Sequence, residues 1–314
     1  MRDRRRPMHL ICPVLVVLAM LAGPARAQEQ QTSAPPAKSA PVVLPHIDIP
    51  SLDGSTAVMA HLFRPRDAGD APRPAVVMMH GCSGLLSKNG RFRPIYRAWA
   101  RELLKQGYVV LVVDSTTSRG FGETCSASKE RRIMWRDRPK DAYAALKYLQ
   151  AQSSVQPDRI ALMGWSQGGG VVLLSINDRS IGRPAGLAHD FAAAVAFYPG
   201  ACAEKWQTAP FTQVPAQGWT SRIPLLVLFG EADVWTQLKP CAAFIAAAQA
   251  RGNPIELKTY PDAVHAFDAP KLPRTELPQY REPDGRIPVI GTNEAARTDA
   301  FARVQTYLAA KLSN

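Results

Sequence analysis

The chain has 314 residues, 46% of them apolar, with 38 Lys and Arg against 26 Asp and Glu for a net charge of +12. That is long enough for one large α/β domain with a buried core. The positive charge is gathered into neither a long Lys/Arg run nor an aromatic–basic alternation, which argues against a nucleic-acid partner and leaves solubility, or attraction to acidic substrates or surfaces, as its role.

Residues 1–27 read as a cleaved export signal. Arg2, Arg4, Arg5 and Arg6 open it, Leu10 to Ala22 form an apolar run, and Ala25-Arg26-Ala27 supplies the small residues of a cleavage site. The run is shorter than the roughly 20 residues of a membrane span, so stable membrane insertion is not expected. Cleavage after Ala27 would leave a secreted or periplasmic protein with a net charge of +8. Residues 28–44, rich in Gln, Ala, Pro and Ser, read as a flexible linker.

From Pro45 onward strands and helices alternate, the pattern of a mostly parallel twisted sheet with helices on both faces. Residues 46–49 and 57–63 read as an opening hairpin around Asp53-Gly54, and Ala75 to Met79 as a central strand. A helix over 95–106 is stopped by Gly107, a strand comes next over 108–113, and an amphipathic helix spans 141–150. The buried strand ending at Met163 is succeeded by strands over 193–198, 225–229 and 255–260, with a helix near 244–250 and a terminal helix over 295–312. Two stretches break the alternation. Residues 201–222 carry Trp206, Phe211 and Trp219 among prolines and suggest a lid or pocket wall, and residues 269–291 read as a long Pro-rich loop.

The most specific signal is Gly164-Trp165-Ser166-Gln167-Gly168, set between a strand and a helix. A serine at the apex of so tight a turn needs small residues two before and two after it, and the arrangement is the nucleophile elbow of the α/β-hydrolase fold. A serine hydroxyl is a weak nucleophile until a base takes its proton and an acid orients that base. On this fold the acid and base come after the serine in that order. Asp233 stands beyond the strand end at Phe229, with Glu231 the second choice, and His265 is the one histidine after the acid. Backbone N–H groups of Gln167 and Cys82, the latter in His80-Gly81-Cys82-Ser83-Gly84, are the expected oxyanion donors. A competing role for the Cys82 thiol as nucleophile lacks an elbow.

Four cysteines remain in the mature chain, and four allow three pairings. Cys82 and Cys125 would lie in loops at the carboxyl ends of neighbouring strands, and Cys202 and Cys241 after the next two, which favours the pairs Cys82–Cys125 and Cys202–Cys241.

Together, His80 to Gly84, the loop Asp114 to Gly120, Gly164 to Gly169, Gly230 to Asp233 and Tyr260 to Phe267 resemble the dienelactone hydrolase family from about Pro45 to the C-terminus. The resemblance implies one α/β-hydrolase domain over 45–314, no metal or organic cofactor, and Ser166, Asp233 and His265 as triad. It also shows two departures: Ser166 stands where true dienelactone hydrolases use Cys, and Gly81 where they carry Glu. Both point away from a lactone and toward ordinary serine esterase chemistry, within a substrate class of small-molecule esters or lactones. Arg119 is a candidate for a substrate carboxylate or a brace for its own loop, and Trp165, Tyr198 and Trp235 (with Trp206) are candidates to line an apolar site. The expected function is that of an exported carboxylesterase. The rivals are a peptidase or amidase on the same scaffold and an inactive hydrolase-fold binding protein.

Overall fold

A computed structural model of the chain describes residues 45–66, 71–126 and 130–313. The expected leader over 1–27 and linker over 28–44 lie outside the described residues. The main sheet has eight strands: β1 (Ile47–Pro50), β2 (Ala57–Phe63), β3 (Arg73–Met79), β4 (Val109–Asp114), β5 (Val155–Trp165), β6 (Ala193–Phe197), β7 (Leu225–Gly230) and β8 (Ile255–Tyr260). Their order is β1-β2-β4-β3-β5-β6-β7-β8. β1 and β2 form the antiparallel hairpin, β2 joins β4 antiparallel, and every later pairing is parallel.

Burial explains why these runs become strands. β4, β6 and β7 are VVLVVD, AAVAF and LLVLFG, buried at every residue, as a sheet covered on both faces requires. Helix α1 (Pro94–Lys105) starts on a proline and ends before Gly107. It shares one face with the terminal helix α7 (Glu294–Leu312), where the Trp99 and Phe301 rings lie 4.1 Å apart. The short α2 (Ile133–Arg136), α3 (Arg138–Gln150) and α4 (Gln167–Ile176) pack together on the opposite face, while α6 (Leu238–Ala250) lies against β8.

The helix expected over 141–150 begins earlier, at Arg138, and is not amphipathic. Arg138, Pro139, Asp141 to Leu146 and Leu149 are buried, which leaves Lys140, Lys147, Tyr148 and Gln150 along its outer edge. Residues 201–222 divide. Their first half holds the one-turn α5 (Glu204–Gln207), and Trp219 in their second half is core. The 269–291 stretch carries structure that its prolines conceal, a small antiparallel pair of β9 (Thr275–Glu276) and β10 (Val289–Ile290).

β3 connects to β4 on one side of itself, and β4 then crosses to β5 on the other. The order of the sheet reverses there, and the carboxyl ends of β3 and β5 open a crevice. The candidate residues gather over that crevice.

Candidate active site

Ser166 sits between the end of β5 and the start of α4 with φ 52 and ψ −117, a conformation costly for a residue with a side chain. The small neighbours are required by contact. A Cβ on Gly164 would collide with the Gly168 carbonyl, and one on Gly168 with the carbonyls of Met79 and His80. The turn is therefore pressed against the end of β3, which brings the elbow beside the loop that holds Cys82.

Asp233 lies just past β7 and His265 just past β8. The Nδ1–H of His265 donates to Asp233 Oδ2 at 2.7 Å, and the Ser166 hydroxyl donates to His265 Nε2 at 3.0 Å. Burial pushes the Asp233 carboxyl up, but the adjacent imidazole, the Thr236 hydroxyl and the Thr236 N–H outweigh it and hold it below the usual carboxylate range. Glu231, the second choice, instead accepts from the Thr259 hydroxyl at 2.7 Å. The imidazole lies between two aromatic rings, Tyr198 at 4.5 Å and Trp235 at 4.9 Å between centroids.

Cys82 and Gln167 line one cavity with Ser166. Their two segments are joined by groups the sequence did not single out. The buried Arg138 donates from Nη1 to Gln167 Oε1 at 2.9 Å and from Nη2 to the His80 carbonyl at 2.6 Å. Thr124 donates its N–H to the Cys82 carbonyl at 2.7 Å and its hydroxyl to Gln167 Oε1 at 3.1 Å. Loss of hydration lowers Arg138 to about 10, and burial with the nearby Arg138 charge lowers His80 to about 4, so the histidine is held neutral. Cys82 is bonded to Cys125 and Cys202 to Cys241, which also removes the Cys82 thiol as a nucleophile.

Asp268, three residues beyond His265, is wholly buried and was missed as well. It accepts from the Trp99 and Trp165 indoles at 2.7 and 2.9 Å and from the Tyr198 hydroxyl at 2.7 Å. Burial raises its carboxyl and the three uncharged donors only partly oppose that. No local pattern marks either residue.

Arg119 does not face the crevice over Ser166. Its guanidinium donates to the Ser115 carbonyl of its own loop at 2.9 Å, to Asp141 Oδ2 at 2.8 Å and to Asp53 Oδ2 at 2.8 Å, the contacts of a loop brace, and it borders neither cavity at Ser166. Trp165 is 1% exposed and its indole donates to Asp268, so it borders the cavity at Ser166 from beneath. Tyr198 is equally buried but presents its ring to His265, and Trp235 borders open space.

Two cavities meet at Ser166. One, of about 420 Å³, is bordered by Gln167, Trp206, Lys205, Arg131, Arg286 and Glu282. The other, of about 400 Å³, is bordered by His265, Tyr198, Leu272, Leu277, Tyr280 and Ile290. Trp235, Cys82 and Cys125 border both. Among the described residues no group of three or more His, Cys, Asp or Glu side chains is arranged to hold a metal ion.

Residues 58–312 match the model of the Dienelactone hydrolase family. A putative hydrolase, YtaP, of Bacillus subtilis (strain 168) is 31% identical over 134 residues, 38% of this chain and 43% of its own length, so the aligned stretch spans less than half of that relative. A probable 2-oxo-3-(5-oxofuran-2-ylidene)propanoate lactonase from Bradyrhizobium sp is 26% identical over 219 residues, 67% of this chain and 78% of that protein. Among solved structures, a putative dienelactone hydrolase from Klebsiella pneumoniae subsp. pneumoniae MGH 78578 superposes with a TM-score of 0.62 at 20% identity, covering 84% of this chain and 97% of that one. That likeness speaks for the α/β-hydrolase fold.

Proposed function

The chain belongs to the dienelactone hydrolase family and is a hydrolase, and from that premise we propose that it is an exported serine esterase that cleaves carboxylic ester bonds through an acyl-enzyme. The observation that carries the proposal is the unbroken hydrogen-bonded series from Asp233 through His265 to Ser166. In this reading Ser166 Oγ attacks the carbonyl carbon while His265 Nε2 takes its proton. Asp233, kept ionised well into acid, holds the imidazole in the tautomer with Nδ1 protonated and stabilises the imidazolium that forms. The N–H groups of Cys82 and Gln167 face the charge that develops on the carbonyl oxygen. Water then repeats the sequence on the acyl-enzyme with His265 as base.

Lactones are the cyclic case of the same bond, and the Bradyrhizobium relative described as a lactonase supports including them as substrates. Serine in place of the family's cysteine favours esters more widely: in the tetrahedral adduct of acylation a thiolate leaves more readily than an unactivated alkoxide and the adduct reverts, whereas a serine alkoxide leaves no more readily than the substrate's own alkoxide, so the adduct can go forward. Export of a single domain over 45–314 is supported by the two disulfides, which persist in oxidising compartments. N-terminal sequencing of the exported protein is expected to begin at Gln28.

The experiment is Ser166→Ala assayed on p-nitrophenyl acetate. A loss of at least about 10³-fold in kcat is expected, with labelling by a fluorophosphonate probe abolished. Wild-type turnover by that variant would end the mechanism.

A further inference from the structure

The two cavities at Ser166 differ in chemistry, and only one of them touches the imidazole. We propose that the ester binds in a single orientation: its alcohol portion occupies the cavity walled by residues 269–290, which selects an apolar, ring-bearing alcohol, and its acyl portion occupies the cavity of Gln167, Lys205 and Trp206. The proposal rests on the serine esterase reading above and adds to it the class of alcohol.

Acylation forms a bond from Ser166 Oγ to the carbonyl carbon and then breaks the bond from that carbon to the alcohol oxygen. The electron pair of the broken bond stays on the alcohol oxygen, which takes the proton that His265 Nε2 removed from Ser166. The alcohol oxygen must therefore lie within hydrogen-bond reach of Nε2 as it leaves. His265 borders the cavity of Leu272, Leu277, Tyr280 and Ile290 and does not border the other. Of the two oxyanion donors in this reading, Cys82 borders both cavities and Gln167 borders the other alone, which sets the oxyanion toward that side. With the oxyanion and the leaving oxygen so placed, the acyl substituent is left to the Gln167 side.

The walls then state what each half accepts. On the alcohol side Tyr280 stacks on Trp235 at 5.4 Å with 23° between planes, and Trp235 in turn lies against His265. Leu272, Leu277 and Ile290 extend an apolar surface beside this aromatic pair, while Arg93, whose guanidinium donates to the Ser83 carbonyl, and the exposed Lys271 stand at its edge. A ring or branched hydrocarbon on the alcohol buries apolar area there, and a small polar alcohol leaves it wetted. The acyl side is the more charged of the two, with Arg131, Lys205 and Arg286 against Glu282.

The test compares ethyl acetate with 2-phenylethyl acetate, whose alcohols leave with similar ease, and ethyl acetate with ethyl butyrate. The native enzyme is expected to favour 2-phenylethyl over ethyl acetate by about tenfold or more in kcat/KM. Leu277→Ser and Tyr280→Ala, both at partly exposed positions, are each expected to bring that ratio toward one while leaving the butyrate-to-acetate ratio as it was. Native enzyme with no alcohol preference overturns the proposal. So do variants that shift the acyl ratio and spare the alcohol ratio, which would mean the reverse orientation. In both cases turnover that still depends on Ser166 shows that the orientation has failed alone, whereas turnover that survives Ser166→Ala shows that the esterase reading itself has failed.

Discussion

The two walls of the site are built on opposite plans. On the strand-end wall, the segments of Cys82 and Gln167 are cross-tied by a disulfide, by Thr124 and by the buried Arg138, through hydrogen bonds of 2.6–3.1 Å. On the facing wall, residues 269–291 contribute two strands of two residues each, with Lys271, Pro273, Arg274, Thr275 and Glu276 exposed. That wall is held to the body at its base, where the Gly291 N–H donates to the His265 carbonyl at 3.1 Å, and farther out by Arg286 donating to the Val234 carbonyl and Tyr280 stacking on Trp235. Donors aimed at a developing charge act only if their geometry is fixed beforehand, which favours buried cross-ties. A surface that sorts substrates by shape needs no such fixing and can differ between enzymes without disturbing the chemistry.

This contrast predicts that damage to the first wall lowers turnover of every ester alike. Arg138→Met removes the guanidinium that joins the Gln167 side chain to the His80 carbonyl. Expected is a fall in kcat of about a hundredfold, comparable to losing one oxyanion donor, with the ratio between 2-phenylethyl and ethyl acetate unchanged. Steady-state kinetics on both esters checks it. A changed ratio with kcat intact would dissolve the distinction between the walls. Replacing the Cys82–Cys125 bridge by two serines keeps the Cys82 N–H but frees its loop. That change is expected to cost about 2–4 kcal/mol in a urea titration, with a smaller loss of kcat than Arg138→Met because Thr124 still ties the loop.

A third prediction concerns acid. His80 sits behind the same wall, and burial, then the Arg138 charge, lowers its folded value to about 4 from an ordinary value near 6.5. Between those values the unfolded chain binds a proton that the folded one does not, so folding stability falls as pH falls through that window and levels off below it. The slope from this one group approaches about 1 kcal/mol per pH unit. His80→Gln, measured by thermal unfolding at pH 7 and pH 5, is expected to flatten the pH dependence. An unchanged slope would mean that the histidine is protonated or accessible in the native protein.

Legibility in the sequence divides along the same line. Continuous apolar runs such as Val109 to Val113 and Leu225 to Phe229 can only be covered strands, and the glycines of the elbow are dictated by contacts within a few residues of Ser166. The meeting of Ser166, Asp233 and His265 could be anticipated because each stands just past the carboxyl end of a parallel strand, and parallel strands present those ends together. Arg138 and Asp268 could not be. Their partners are Gln167, His80, Trp99, Trp165 and Tyr198, scattered across the chain and gathered only by packing. The 269–291 hairpin was hidden for another reason: prolines and charges gave its two short strands no alternation to read.

Arg119, read as either a substrate group or a brace for its own loop, supplies the smallest of the predicted effects. Its loop does come directly after β4, yet the side chain is 9% exposed and is held by Asp53, 66 positions away, and by Asp141 on α3. Burial raises the Asp53 carboxyl, but the N–H groups of Ser55 and Thr56, the Thr56 hydroxyl and Arg119 outweigh that and keep it strongly acidic. Such a group contributes stability above its unfolded value near 3.9 and loses it only as pH falls through the lower folded one. Arg119→Lys keeps the charge and gives up the paired geometry, so stability at neutral pH should drop by about 1 kcal/mol. KM for a mono-ester of a dicarboxylic acid should stay within about twofold of the native value, because a lysine confined to that cluster meets no substrate. A selective rise in KM for the carboxylate-bearing ester would return Arg119 to the binding site, and with it an anion pocket on the sheet's far flank.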